Sequence, residues 1–460
     1  MAQSHGKTYE IDMCSGAILP KLLQFTVPLM CSSVLQLLFN AADIIVVGRF
    51  AGDNSLAAVG SNSSIIALLT NLFIGLSVGA NILAARFFGA NDRESLSQTV
   101  HTSMLISLLS GIFLAIAGAC GARTILVWMQ TPSNVLDLAT LYLRIYFLGM
   151  PAILLYNFEA AIFRSIGETK VPLIALASSG VLNVLLNLVF VLGFDMTVNG
   201  VAIATVLSNV VSSIILYRRL RKTDQYIHVD PKRFAIHWGS FRQILRIGLP
   251  AGIQSAVFAV SNIVIQSAIN SLGTIVMAAS SAALNIEIIA YYIMNSFSQA
   301  CATFVGQNYG ANQVKRCRKI LGLCILEDAI ATASAICIIL FAGKTVLALF
   351  NPDPQVIDIG YTRLLIVFTA YTFSMLYEVM SGYLRGFGIS LVPALLVILG
   401  VCGVRIFWIF CIFPLNRAFS TIMYVYPISL ATTALLIGIS VLVFRPSRRL
   451  TGQAQNTDAP

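Results

Sequence analysis

Apolar residues in this chain do not alternate with polar ones as in a half-buried helix or strand. They run together for about 20 residues or more and stop at short clusters of Gly, Pro, Asn or basic residues. Runs of that length predict roughly twelve spans, starting near Ile18, Leu56, Leu96, Asp137, Val171, Gly200, Ile244, Ile275, Lys319, Ile357, Val392 and Ile422. The expected fold class is an all-α integral membrane protein. The first run is apolar from Ile18 to Val47, longer than one crossing requires, so it must tilt or bend, and Pro28 supplies a place to bend.

The polar marks between these runs repeat. Leu155-Tyr156 … Arg164-x-x-Gly167-x-x-x-x-Pro172 returns 221 residues later as Leu376-Tyr377 … Arg385-x-x-Gly388-x-x-x-x-Pro393. Gly89-Ala90-Asn91 returns as Gly310-Ala311-Asn312, Val135-x-Asp137 as Val356-x-Asp358, and Pro28 as Pro250 with one residue more between them. The chain is therefore two copies of one half. With six spans each, both halves enter the membrane from the same side, related by an axis along its normal. The expected limits are a cytoplasmic tail at 1–17, an N-lobe at 18–222, a cytoplasmic linker at 223–240, a C-lobe at 241–445 and a disordered cytoplasmic tail at 446–460.

Composition excludes a globular protein: 57% of the 460 residues are hydrophobic and 10% are charged. The net charge of +10 is a topology signal rather than a nucleic-acid footprint. About 22 of the 29 Lys and Arg residues fall in the tails and loops that an inside N-terminus makes cytoplasmic. Such basic clusters also suit anionic lipid headgroups. The N-terminus carries no cleavable leader pattern, the nine cysteines form no C-x-x-C pair, and the four histidines share no metal spacing. Gly343-Lys344-Thr345 lacks the leading glycine of a phosphate loop, since residue 338 is Ile, and no Gly-x-Ser-x-Gly elbow occurs. Neither an enzyme nor an ATP-driven pump is expected, and no cofactor.

Ionisable and amide side chains inside hydrocarbon are expensive, so the few present are the candidates for chemistry. Glu287 lies near the middle of its span beside Asn285, with either a coupling role or a structural pairing, for instance with Arg405. Asp43 follows Lys21 by 22 residues. On a straight helix that is roughly 33 Å, at the outer interface. A bend near Pro28 instead sinks the carboxylate toward the interior, on one polar face with Asn40 and Gln36. Asn183 and Asn187 share a helix face and either hold helices together or line a cavity. Arg144, Glu159, Glu378 and Arg405 complete the set, with Glu159 and Glu378 expected near the cytoplasmic surface. The glycines of Gly75-x-x-x-Gly79 and Gly382-x-x-x-Gly386 are expected to let helices approach closely.

With twelve spans in parallel halves, a Gly-Ala-Asn loop after the second span of each half and Arg-x-x-Gly-x-x-x-x-Pro after the fourth, the chain resembles the multidrug and toxic compound extrusion (MATE) family, over nearly everything from Ile18 to Arg445. Local segments agree: Asn40-Ala-Ala-Asp43-Ile-Ile-Val-Val-Gly48-Arg49, Gly200-Val-Ala-Ile-Ala-Thr205, Gly248-Leu-Pro250 and Val305-Gly-Gln307-Asn308-Tyr-Gly310-Ala-Asn312. The resemblance implies export of amphipathic, often cationic small molecules in exchange for protons or sodium by alternating access of two lobes. It implies a monomer in a bacterial inner membrane with both termini cytoplasmic. It places Asp43 at the family's first-span acid, Asn183 and Thr205 at polar positions of the fifth and sixth spans, and Gln36 at a lining position. Asn187 stands where relatives often carry aspartate, and Phe258 where one branch has a glutamate. Coupling then rests on Asp43, with Glu287 a separate second-lobe candidate. A lipid-linked oligosaccharide flippase of the same superfamily is the alternative, although that class usually wants more basic residues in the cavity and extra C-terminal spans.

Overall fold

The structure, a computed structural model, describes residues 11–223, 226–444 and 446. Twelve spans account for nearly all of them, and no strand occurs among the described residues. In the first half they are Ile18–Phe50, Asp53–Gly89, Arg93–Trp128, the broken pair Ser133–Leu148 and Met150–Ser165, Lys170–Gly193 and Val198–Lys222. In the second half they are Trp238–Asn270, Thr274–Gly310, Val314–Phe350, Pro354–Gly386, Leu391–Leu415 and Phe419–Phe444. Each begins within a few residues of its expected start.

The halves differ most in their fourth member. In the first half it bends by 46° at Gly149. Pro151, just beyond, has no N–H to donate to the preceding turn. The corresponding positions of the second half are Ala370 and Thr372, and Pro354–Gly386 runs unbroken. The fifth span ends in a π-turn at Val189–Gly193, and the eleventh contains two, Ile398–Gly403 and Trp408–Ile412.

Loop chemistry repeats more faithfully than the helices. Left-handed backbone occurs at Gly52 and Gly273 (φ 82° and 102°), at Asn91 and Asn312 (56° and 58°) and at Gly167 and Gly388 (89° and 79°), always 221 residues apart. The two Arg-x-x-Gly motifs close helices. The N–H of Gly167 donates to Arg164 O and that of Glu168 to Phe163 O, as Gly388 does to Arg385 O and Ile389 to Leu384 O. Exposed salt bridges recur at the same offset, Arg123–Asp137 at 2.6 Å and Lys344–Asp358 at 3.0 Å, each tying the third span of its half to the fourth.

The chain forms two compact units, Met1–Asp12 with Val27–Leu249, and Met13–Thr26 with Pro250–Pro460. Where the sequence reading began the lobes at 18 and 241, the unit limits fall inside the first and seventh helices, beside Pro28 and at Pro250. Within the first unit, the seventh span packs so closely at Gly79 that a Cβ there would meet Ile244 O at 2.5 Å and Gly248 N at 2.8 Å. Within the second, Phe25 meets Phe304 edge-on at 5.6 Å, and Gly386 packs against Val305 and Ala302. Gly79, Gly382 and Gly386, expected to let helices approach closely, do so.

Large apolar side chains point outward along the spans. Phe341 is 96% exposed, a position tenable only with lipid as solvent. Trp128 and Trp238, also exposed, stand at span ends, where indoles favour the headgroup level. Residues 11–17, expected as a polar tail, instead follow a defined path. In the first unit Ile11 is buried against Gly167. In the second, Arg316 donates to the carbonyls of Met13, Ser15 and Gly16 and Asn308 to that of Met13. The expected tail at 446–460 lies outside the described residues apart from Pro446, and residues 1–10 of the first tail likewise.

Candidate functional site

Asp43 projects from the first span into the interior of the first unit. Its Oδ1 accepts from Asn187 Nδ2 at 2.5 Å and its Oδ2 lies 3.3 Å from Thr205 Oγ1. Asn187 Nδ2 also reaches Asn183 Oδ1 at 3.3 Å, and Asn183 Nδ2 reaches Thr205 Oγ1 at 3.4 Å. Four of the expected residues, from the first, fifth and sixth spans, therefore close one ring of hydrogen bonds. Asn187 is fully buried and its Oδ1 has no partner among the described residues. Tyr142 and Tyr146, one turn apart on the fourth span and mutually stacked at 6.2 Å, lie within electrostatic range of the carboxylate. Sequence reasoning did not single them out, although their four-residue spacing puts both on one face.

The local sequence explains this convergence. Val46 and Val47, next along the helix, are buried in the core of the first unit with Val191, Val201 and Ala202. One turn before Asp43, Phe39 lies against Gly180, so closely that a Cβ there would overlap the ring. The missing side chain at 180 lets the first span approach the fifth, and Asn183 and Asn187 follow at helical spacing. The first helix is continuous across Pro28. The hydroxyl of Ser32 donates to Pro28 O at 2.9 Å, one of several such bonds that keep carbonyls satisfied away from water. Asp43 thus faces inward rather than standing as a solvated interface aspartate. Gln36 and Asn40 are exposed and make no side-chain hydrogen bond among the described residues, so the expected polar face does not extend the ring.

Glu287 requires a correction. Its partner is Arg363, not Arg405: Arg363 Nε donates to Oε1 at 2.7 Å and Nη2 to Oε2 at 3.0 Å, with both side chains almost fully buried. A carboxylate engaged at both oxygens by an arginine is a counter-ion, which favours the structural of its two expected roles. Arg363 escaped notice because it lies nine residues past Pro354, close enough to a span end to pass for an interface charge. Glu159 and Glu378, expected near a surface, are 0% and 5% exposed. Glu159 Oε2 accepts from Ser213 Oγ at 3.0 Å. The remaining motif residues serve packing. Gly89 and Gly310 end the second span of each half just before the left-handed asparagines. Arg385 donates to Gln254 Oε1 at 2.9 Å, Tyr156 Oη lies 3.5 Å from the carbonyl of Pro172, and Pro393 is buried in the eleventh span.

The family model described as MatE matches residues 28–189 and again residues 250–411, one match per half. The chain belongs to the MATE family. Its relatives include the probable multidrug resistance protein YoeA of Bacillus subtilis, 28% identical over 428 residues covering 90% of this chain and 91% of that one. The multidrug export protein MepA of Staphylococcus saprophyticus is 22% identical over 443 residues, 95% and 96% of the two chains. Among solved structures, the outward-facing conformation of a multidrug resistance MATE family transporter superposes with a TM-score of 0.87 at 22% identity, covering 98% of this chain and all of the other. This chain is accordingly a multi-pass membrane protein of a transporter family, and its twelve spans carry the MATE fold.

Proposed function

We propose that this MATE protein exports amphipathic, often cationic compounds in exchange for protons bound at Asp43, by alternating access of its two lobes. The observation that carries the coupling is the set of partners around Asp43, which are neutral amide and hydroxyl groups with no cation among the described residues. A half-buried carboxylate without a counter-charge is still costly unless a proton or a passing cation neutralises it. Asn187 suits both states. Its amide N–H serves the ionised acid, and the unpartnered Oδ1 can, after an amide flip, accept from the protonated one. An aspartate at 187 would instead repel the ionised state.

Protonation from outside removes the charge that holds a cationic substrate, and reorientation then releases the proton to the cytoplasm, where both termini lie. Each net positive charge returned inward across 100 mV supplies about 2.3 kcal/mol, a concentration ratio of roughly fiftyfold. In proteoliposomes with proton and sodium gradients imposed separately, the proton gradient is expected to drive dye export and the sodium gradient not to. Asp43→Asn should abolish this export while the protein elutes as a monodisperse species. Undiminished export by that variant removes Asp43 from the mechanism.

A further inference from the structure

Among the described residues of the second unit two arginines are buried, and one carboxylate pairs with them. Arg363, 1% exposed, commits Nε and Nη2 to Glu287, with the Tyr426 hydroxyl 3.3 Å from Nη2, while Nη1 has no acceptor among the described residues. Arg405, 3% exposed, donates from Nε to Ser429 Oγ at 3.3 Å and from Nη1 to Asn262 Oδ1 at 3.1 Å, both neutral, and has no ion pair among the described residues. Its guanidinium lies 4.8 Å from the Tyr426 ring centroid and 5.3 Å from that of Phe258, and the Arg363 guanidinium lies 5.5 Å from the same tyrosine. The cluster joins the seventh, eighth, tenth, eleventh and twelfth spans. Arginine does not shed its proton, so the cluster holds one positive charge in excess.

An uncompensated guanidinium in a membrane interior is stabilised by an anion. What stands beside it narrows the anion's chemistry. Phe258, under Arg405, stacks on Tyr291 at 6.5 Å with an interplanar angle of 15°, and both rings are only partly buried. A flat apolar wall thus adjoins a charged fork suited to planar carboxylates. We propose that this cluster binds the carboxylate of an aromatic amphiphile, held by Arg405 and Arg363 Nη1 with its ring against Phe258 and Tyr291. Substrates of the transporter then include aromatic acids and zwitterions besides cations. Only the claim that such an acid is cargo depends on the export reading; binding does not.

The test is calorimetric titration of the purified full-length protein in neutral detergent with 1-naphthoate and with its neutral analogue 1-naphthalenemethanol. The wild type is expected to bind the acid at least tenfold more tightly than the alcohol. Arg405→Gln should weaken the acid at least tenfold and leave the alcohol within twofold. Glu287→Gln, which frees Arg363 from its competing carboxylate, should tighten the acid. If Arg405→Gln does not fold, the acid-to-alcohol ratio and the sign of the Glu287→Gln effect still decide. Equal binding of acid and alcohol by wild type, or weaker acid binding by Glu287→Gln, overturns the proposal. So does a response to chloride without one to naphthoate, which would make the cluster a small-anion site. Failure of proton-driven dye export with naphthoate binding intact would refute the export reading and leave this site standing.

Discussion

The buried pair Glu287–Arg363 gives the sharpest energetic prediction. Two charge-assisted bonds of 2.7 and 3.0 Å join side chains that are 2–3% exposed, so removal of one partner leaves the other's charge in a dehydrated interior. That loss costs about 3–5 kcal/mol, whereas replacing both by apolar residues of similar volume is close to neutral, because the desolvation of both charges is relieved together. For a unit of this size each kcal/mol moves Tm by about 2–4 °C. Arg363→Met and Glu287→Leu should therefore each lower the Tm of the detergent-purified protein by roughly 6–20 °C. The double variant should regain most of that loss and still export dye. The assay is thermal unfolding followed by intrinsic fluorescence, with size-exclusion recovery after heating as an independent measure. Additive single losses in the double variant, or a double variant that folds but cannot export, would falsify the counter-ion role and return Glu287 to the coupling candidates.

Besides the Asp43→Asn and Arg405→Gln outcomes above, two further results are expected. Gly180→Ala places a methyl in the Phe39 ring and should push the first span from the fifth, cutting proton-driven export severalfold, while Phe39→Ala in the same chain restores part of it; unchanged export by Gly180→Ala would refute the close approach as the positioning device. Asp92 caps the third span by accepting from Ser95 N at 3.1 Å, and its carboxyl is held below the ordinary value chiefly by the Ser95 side chain and then by that N–H. The cap's contribution is therefore complete above the unfolded pKa of about 3.9 and lost as pH falls through the lower folded value. Asp92→Ala should cost about 1 kcal/mol near neutrality, and the difference in Tm from wild type should vanish in strong acid. A difference that persisted there would rule out the ionised cap.

The sequence alone determined the membrane class, the number of spans, the duplication and the turn chemistry, because each depends on local composition. Twenty consecutive apolar residues leave no other solvent than lipid, and a left-handed turn favours Gly or Asn wherever it falls, as at Gly167 and Gly388. It also singled out Asp43, Asn183 and Asn187 as polar groups within apolar spans, and Thr205 through the family's pattern. Which way Asp43 faced was decided by tertiary packing, through the contact of Phe39 with Gly180 that no helical count reveals. Gln36 and Asn40 share the helix of Asp43 but stay outside the ring, since a polar stripe on one helix is only an offer until a partner helix meets it. The partner of Glu287 was settled by the same means. Arg363 and Arg405 lie 76 and 118 residues away along the chain, and only the packing of five helices in one unit determines which guanidinium reaches the carboxylate and which is left in excess.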